Sequence, residues 1–272
     1  MRRRPHFTVL FSLVCICAGL IGLIGVAYSD ALARAAWRSY RAPKLALALA
    51  FRDANLAFEI GNFYFGGSEY RTPVARKAFK RAVAIDPTLP WGNYQLARVY
   101  FVENRLDKAL RAINRELEIF PNNIRALYVR GLVEGYSGML AEAEEDFARF
   151  LEYAPYDWAP YNDLAWIEAA QGDFAAMRET ARAGIERAIG GATNPWLWNM
   201  LGVAELNLNN FDAAEPALRE ARAMALALTS ADWRAAYPGN NPDQTHEGLA
   251  AFRAAIDENL FRAVLGRSDQ TQ

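Results

Sequence analysis

Residues 195–221 read PWLWNMLGVAELNLNNFDAAEPALREA, and the spacing inside this stretch decides the fold. Trp198, Leu201, Gly202 and Glu205 recur at helical intervals in its first half, and Ala214, Leu218 and Ala221 do so in its second. Residues three or four apart share one face of a helix, so each half carries its own apolar stripe. Gly202 on one stripe and Ala214 and Ala221 on the other let two helices approach closely, with Leu218 filling the gap between them. The pattern repeats upstream on a fixed beat, because Pro87, Pro121 and Pro155 stand 34 residues apart.

Working outward from that stretch, earlier copies can be read off the chain. The first has Ile60, Gly61 and Tyr64, then Ala75, Phe79 and Ala82, closed by Pro87. The second has Leu96, Ala97 and Tyr100, then Ala109 and Ile113, then Pro121, with Glu116 where a small residue is expected. The third has Leu127, Gly131 and Glu134, then Ala143, Phe147, Phe150 and Pro155. The fourth has Tyr161, Leu164, Ala165 and Glu168, then Met177, Ala181 and Gly184, with Ile189 in place of the proline. Extra residues within 190–194 delay the fifth, which begins at Pro195.

This pattern resembles the tetratricopeptide repeat (TPR), a helix–turn–helix unit with a W-x2-L-G-x2-Y…A-x3-F…A…P signature. The internal turn of the first copy, Gly66 to Pro73, is two residues longer than the family pattern. The resemblance covers residues 54–228. It implies an all-α, right-handed superhelix of about five helix–turn–helix repeats, since no single unit can bury its apolar stripe alone. Beyond it, Thr229 and Ser230 offer a helix start before Trp233, and residues 237–242 form a break. Thr245 can cap a last helix bearing Leu249, Phe252, Ile256, Leu260 and Val264 on one face. A terminal helix of this kind caps a repeat array, so residues 229–272 are expected to be capping helices and tail.

Bulk composition narrows the function. The chain is 53% hydrophobic and 22% charged, with net charge −1. That balance argues against nucleic acid, which is held mainly by basic residues on phosphates. It argues equally against a polybasic membrane-surface patch. Arginine outnumbers lysine and alanine is abundant, which reads as a bacterial chain from a GC-rich genome. Cys15 and Cys17 both lie in the apolar N-terminal stretch. The rest of the chain therefore has no disulfide, thiolate nucleophile or cysteine-based zinc site.

The N-terminal stretch carries a second expectation. Arg2, Arg3 and Arg4 precede an uncharged run from Phe7 to Tyr28, long enough for a membrane-spanning helix. Residues 1–29 are thus expected to be a tail and single transmembrane anchor, and residues 30–53 a juxtamembrane helical segment broken at Pro43. Trp37 and Tyr40 would lie at the membrane interface. A cleaved secretory signal is the alternative, with Ala31-Leu32-Ala33 as a late cleavage site. The arginine cluster favours a cytoplasmic N-terminus and a periplasmic domain on a bacterial inner membrane. Small residues along the run, Gly19, Gly22 and Gly25 among them, leave homo-oligomerisation open.

Little in the chain suggests catalysis, and no cofactor or metal is expected. The two histidines are His6, in the tail, and His246, at the start of the last helix. No G-x-S-x-G element and no phosphate-cradling glycine loop occurs. The carboxylates Glu142, Glu144, Glu145 and Asp146 read as a solvated outer face. Glu168 and Glu205 recur because the repeat recurs, which points to structure.

The TPR resemblance does imply a binding surface, because the first helices of such repeats line a groove. The groove-side positions are Phe58, Asn62 and Phe65 in the first unit. In the second they are Trp91, Tyr94, Arg98 and Phe101, and in the third Arg125, Tyr128 and Tyr136. Asn162 and Trp166 follow in the fourth, and Trp196 and Asn199 in the fifth. Rings supply contact area, while amides and guanidinium groups supply hydrogen bonds to a peptide backbone. Phe58 stands where chaperone-type TPR clamps place a lysine for a terminal carboxylate, although Asn62 matches. The expected role is a scaffold binding a protein or peptide segment during assembly of an envelope or membrane complex. The alternatives are a regulatory subunit of a glycan-polymerising or secretion enzyme, and a stand-alone hydrolase.

Overall fold

The chain is described here by a computed structural model that covers residues 28–66, 69–237 and 240–270, together with Gly25. It forms two compact units, Met1–Gln95 and Leu96–Gln272. Among the described residues all regular structure is helical.

The first unit contains α1 (28–38), α2 (Pro43–Leu49), α3 (Ala54–Gly66), α4 (Thr72–Ile85) and the start of α5 (Gly92–Val102). Pro43 opens α2 at a position where its missing N–H costs nothing. The pair α3 and α4 is the first sequence repeat. Its small residue works as expected, because a Cβ on Gly61 would run into the ring of Phe79.

The expected membrane anchor, residues 7–28, lies outside the described residues except for Gly25 and Tyr28. Among the described residues no helix is long and apolar enough to cross a membrane, so the single-pass membrane localisation is corrected. The interfacial role of Trp37 is corrected with it. Trp37 has no exposed surface, donates its indole N–H to Glu59 Oε1 at 2.8 Å and meets Phe63 edge-on at 5.1 Å. The Arg41 guanidinium stands 4.7 Å above its ring. Further ties hold α1 to the protein: Ser29 Oγ donates to Leu49 O at 2.7 Å, and Arg34 pairs with Asp53 at 2.6 Å. The physical reason is that α1 carries Asp30, Arg34 and Arg38 on one side and small residues on the other, a pattern suited to packing on α2 and α3.

The second unit continues with α6 (Leu106–Ile119), α7 (Ile124–Tyr136), α8 (Leu140–Tyr153), α9 (Trp158–Gln171), α10 (Phe174–Arg187), α11 (Pro195–Asn207) and α12 (Phe211–Ala227). Each helix packs on the next, and α9 also touches both α7 and α11. The helices α7, α9 and α11 thereby share one face, which positions the site. Gly131 lets the Phe147 ring approach to within 3.0 Å of a would-be Cβ, and Gly202 does the same for Leu218 at 2.5 Å.

The turns inside the repeats follow one rule. Asn104, Gly138, Gly172 and Asn209 all adopt the left-handed conformation that glycine and asparagine tolerate best. The next backbone N–H then reaches back to close the helix end: Arg105 to Tyr100, Met139 to Glu134, Asp173 to Glu168 and Asn210 to Glu205, at 2.8–2.9 Å.

The acidic outer face expected around residue 144 is corrected at one position. Asp146 is 3% exposed, and Arg130 clamps both its oxygens at 2.6 Å. Arg130, on α7, points across to α8, so the pair fastens the two helices of one repeat.

Two further helices follow the repeats, α13 (Ser230–Ala236) and α14 (Thr245–Gln270). The side chain of Thr229 accepts from Asp232 N, while Asp232 accepts from Thr229 N, a reciprocal cap. Thr245 does not cap α14 as expected, since its hydroxyl donates to Pro242 O at 2.7 Å. The long helix packs on α12 and α11. Ile256 is fully buried against Ala221 and Ala225, while Val264 stays exposed. Arg253 donates to the carbonyls of Ala225, Leu226 and Leu228 and so closes the end of α12.

Candidate functional site

The shared face of α7, α9 and α11 carries most of the expected groove positions of the second unit. On α7, Tyr136 is 60% exposed, while its ring sits 5.2 Å from Phe101 and 5.1 Å from Trp166 of α9. Phe101, Tyr136 and Trp166 therefore form one row of rings across three successive repeats. Arg98 is half-buried and Arg125 is exposed. Asn162 and Asn199 occupy the same position in α9 and α11 and are almost fully buried, 8% and 9% exposed. Each keeps a side-chain oxygen with no hydrogen-bond partner in the protein. An unpaired buried amide oxygen costs about 1–3 kcal/mol.

At the centre of the face lies Asp163, one residue from Asn162 and absent from the sequence-derived site. Its Oδ2 accepts from Tyr128 Oη at 2.5 Å, and its Oδ1 accepts from Asn162 Nδ2 at 3.1 Å. Burial raises its carboxyl to about 6; the bonds from Tyr128 and Asn162 pull it back, and Asp157 pushes it further up. The hydroxyl of Tyr128 is pushed well up by burial and then by the Asp163 charge. Tyr136 is raised by the same two causes in the same order. Tyr128, expected to line the groove, also belongs to the core, since its ring packs on Phe147 and Phe150.

Trp196, expected to line the open groove, is instead 6% exposed. It stacks on Trp158 at 5.0 Å and on Phe252 of α14 at 5.5 Å, and Trp233 and Tyr237 close over it at 6.1 Å. Tyr237 comes from the segment after α13. Burial raises its hydroxyl to about 12, with the Asp163 charge adding to the rise and Trp196 opposing it. The indole N–H of Trp196 lies beside that hydroxyl without completing a well-formed hydrogen bond. The segment after the repeats thus lies against the α11 end of the face. The tryptophans at the start of α11 were visible in the sequence, but not the helices that cover Trp196.

The remaining expected positions belong to the first unit. Phe65 is buried, with its ring 6.3 Å from Tyr70 and 6.4 Å from Phe79. Phe58 is half-buried and also meets Phe79, at 5.6 Å. Asn62 accepts from Gln95 Nε2 at 2.9 Å. Trp91 is 42% exposed and holds a left-handed backbone conformation, φ 66°, with its ring 5.1 Å from Tyr94.

Two buried carboxylates lie between the helices of the repeats, away from this face. Glu168 accepts from Thr180 at 2.8 Å, and burial raises it to about 7. Glu205 accepts from Arg182 at 2.7 Å and from Asn210 at 2.9 Å. Among the described residues no group of three or more His, Cys, Asp or Glu could hold a metal ion.

The fold and this face define a tetratricopeptide-repeat architecture, and comparison with known proteins agrees. Family models described as Tetratricopeptide repeat match residues 68–132 and 197–223, so the chain carries these repeats. The BBSome complex member BBS4 of Bos taurus is 25% identical over 146 residues, which are 52% of this chain and 26% of that protein. The chain therefore spans about a quarter of the curated relative it matches. Among solved structures, MamA aligns over 68% of this chain and 94% of its own, with TM-score 0.55 and 15% identity. YrrB, a TPR protein with an unusual peptide-binding site, aligns over 68% and 93%, with TM-score 0.54 and 18% identity. At these identities the likeness is one of fold.

Proposed function

We propose that the chain is an interaction scaffold whose α7–α9–α11 face captures an extended segment of a partner protein, as one component of a larger complex. The observation that carries this reading is the pair Asn162 and Asn199. Both are buried, both come from the same repeat position, and both keep an oxygen unpaired within the protein. Amide oxygens repeated at one position can accept successive N–H groups of an extended backbone, while the ring row of Phe101, Tyr136 and Trp166 supplies contact area. YrrB is a relative in fold with a peptide-binding site, and BBS4 is a member of a multi-protein complex; both are consistent with this role.

Crosslinked capture of partners by the purified chain tests the reading. Asn162→Ala, Asn199→Ala and Trp166→Ala should each reduce capture; Trp166 also packs against the Phe147 cluster, so its truncation should lower the melting temperature as well while leaving the helical fold intact. Capture that survives all three would move the partner site off this face.

A further inference from the structure

Asp163 differs from Asp146 and Glu205, buried carboxylates of the second unit that arginines hold. Asp146 is clamped by Arg130 on both oxygens, and Glu205 is paired with Arg182. Asp163 receives only a phenol and an amide, and no lysine, arginine or histidine among the described residues offsets its charge. A buried carboxylate without a cation is costly, and arginines complete such pairs elsewhere in this unit. Glu168 also lacks a cation, but it lies between the helices of its own repeat and accepts from Thr180; Asp163 is the carboxylate without a cation on the shared face of α7, α9 and α11. Beside it stand Trp166, three residues on along α9, and Tyr136, whose ring lies 5.1 Å from that of Trp166. Tyr136 and Tyr237 both feel the Asp163 charge. Asn162 Oδ1, buried and unpaired, adjoins the same carboxylate.

We propose that Asp163, Asn162 and the Tyr136–Trp166 ring pair form a receptor for one basic side chain, lysine or arginine, carried by the captured segment. The inference rests on the peptide-capture reading above and names the chemistry of its occupant. A cation within about 6 Å of an aromatic face is attracted by the ring, and a carboxylate beside the rings supplies the counter-charge. The Asn162 oxygen gives the incoming N–H a second acceptor. An acidic segment would be repelled here, because Asp157 adds to the negative field at Asp163.

Selection from a random decapeptide display library on the full chain tests the proposal. The expected peptides share a lysine or arginine at one position. Replacing that residue by norleucine, or introducing Asp163→Asn in the protein, should each weaken binding about ten-fold or more. Asn at this position keeps an acceptor for Tyr128, so melting of Asp163→Asn should stay close to wild type. Should that variant unfold, Tyr136→Leu, at an exposed ring, must show the same loss for basic peptides. Selected peptides with no shared basic residue would overturn the basic-residue receptor and leave peptide capture standing. Peptides bound only through an unacetylated N-terminus would overturn it too, since the occupant would then be a terminal amine. Failure to select any peptide over a scrambled control would overturn both readings.

Discussion

Tyr128 on α7 donates its hydroxyl to the Asp163 carboxylate on α9 at 2.5 Å, and this bond joins two consecutive repeats at the face they share. Tyr128→Phe should remove a charge-assisted hydrogen bond worth about 1.5–3 kcal/mol. The hydroxyl holds the Asp163 carboxyl down, so its loss should raise that group's titration further above 6. The destabilisation should therefore be larger at pH 7.5 than at pH 4, where both proteins carry a protonated Asp163. Urea unfolding at the two pH values measures it, and equal losses at both would show that the bond does not depend on charge.

Raised carboxylates make the repeats sensitive to base. Asp163 titrates at about 6 and Glu168 at about 7, each above its unfolded value because of burial. For a group whose folded value is raised, the protonated form belongs to the folded state. Their stabilising contribution is complete below about pH 4 and is lost as pH rises through 6 to 7. Glu168→Gln keeps an acceptor for Thr180 without the charge, so its stability relative to wild type should improve steadily between pH 5 and 8. A constant difference across that range would mean Glu168 is not the titrating group.

The close approach at Gly202 leaves no space for a side chain. A Cβ there would come 2.5 Å from Leu218 Cγ. Gly202→Val should cost about 1–3 kcal/mol through overpacking, and Leu218→Ala in the same chain should recover part of that loss. Additive losses in the double variant would show that the two residues do not meet.

The last helix should stabilise the repeats it covers. Ile256 is fully buried on Ala221 and Ala225, so Ile256→Asp should lower the melting temperature sharply by burying an unpaired charge. Removing residues 243–272 should expose the Leu206, Leu218 and Phe211 cluster that packs with Leu260 and Ala263, and reduce solubility. Arg253→Ala should cost less, because water can replace the guanidinium at the carbonyls of α12. A truncated chain that stays monodisperse with unchanged melting would refute the capping role.

The sequence by itself determined the helical repeat. The 34-residue beat and the small-against-large pairs, Gly61 with Phe79, Gly131 with Phe147 and Gly202 with Leu218, are local periodic facts that packing then obeys. Residue type also suits the left-handed turn positions, Asn104, Gly138, Gly172 and Asn209, which the repeat pattern alone did not single out. The candidate face rests on repeat phase too, which singles out Tyr136, Trp166 and the two asparagines. Repeat phase cannot report contacts between distant segments, and tertiary structure decided those. It placed Trp37 in a buried cluster, paired Asp146 with Arg130, and laid Trp233, Tyr237 and Phe252 over Trp196. It also set Asp163 under Tyr128, 35 residues away, where burial rather than sequence neighbours governs the charge.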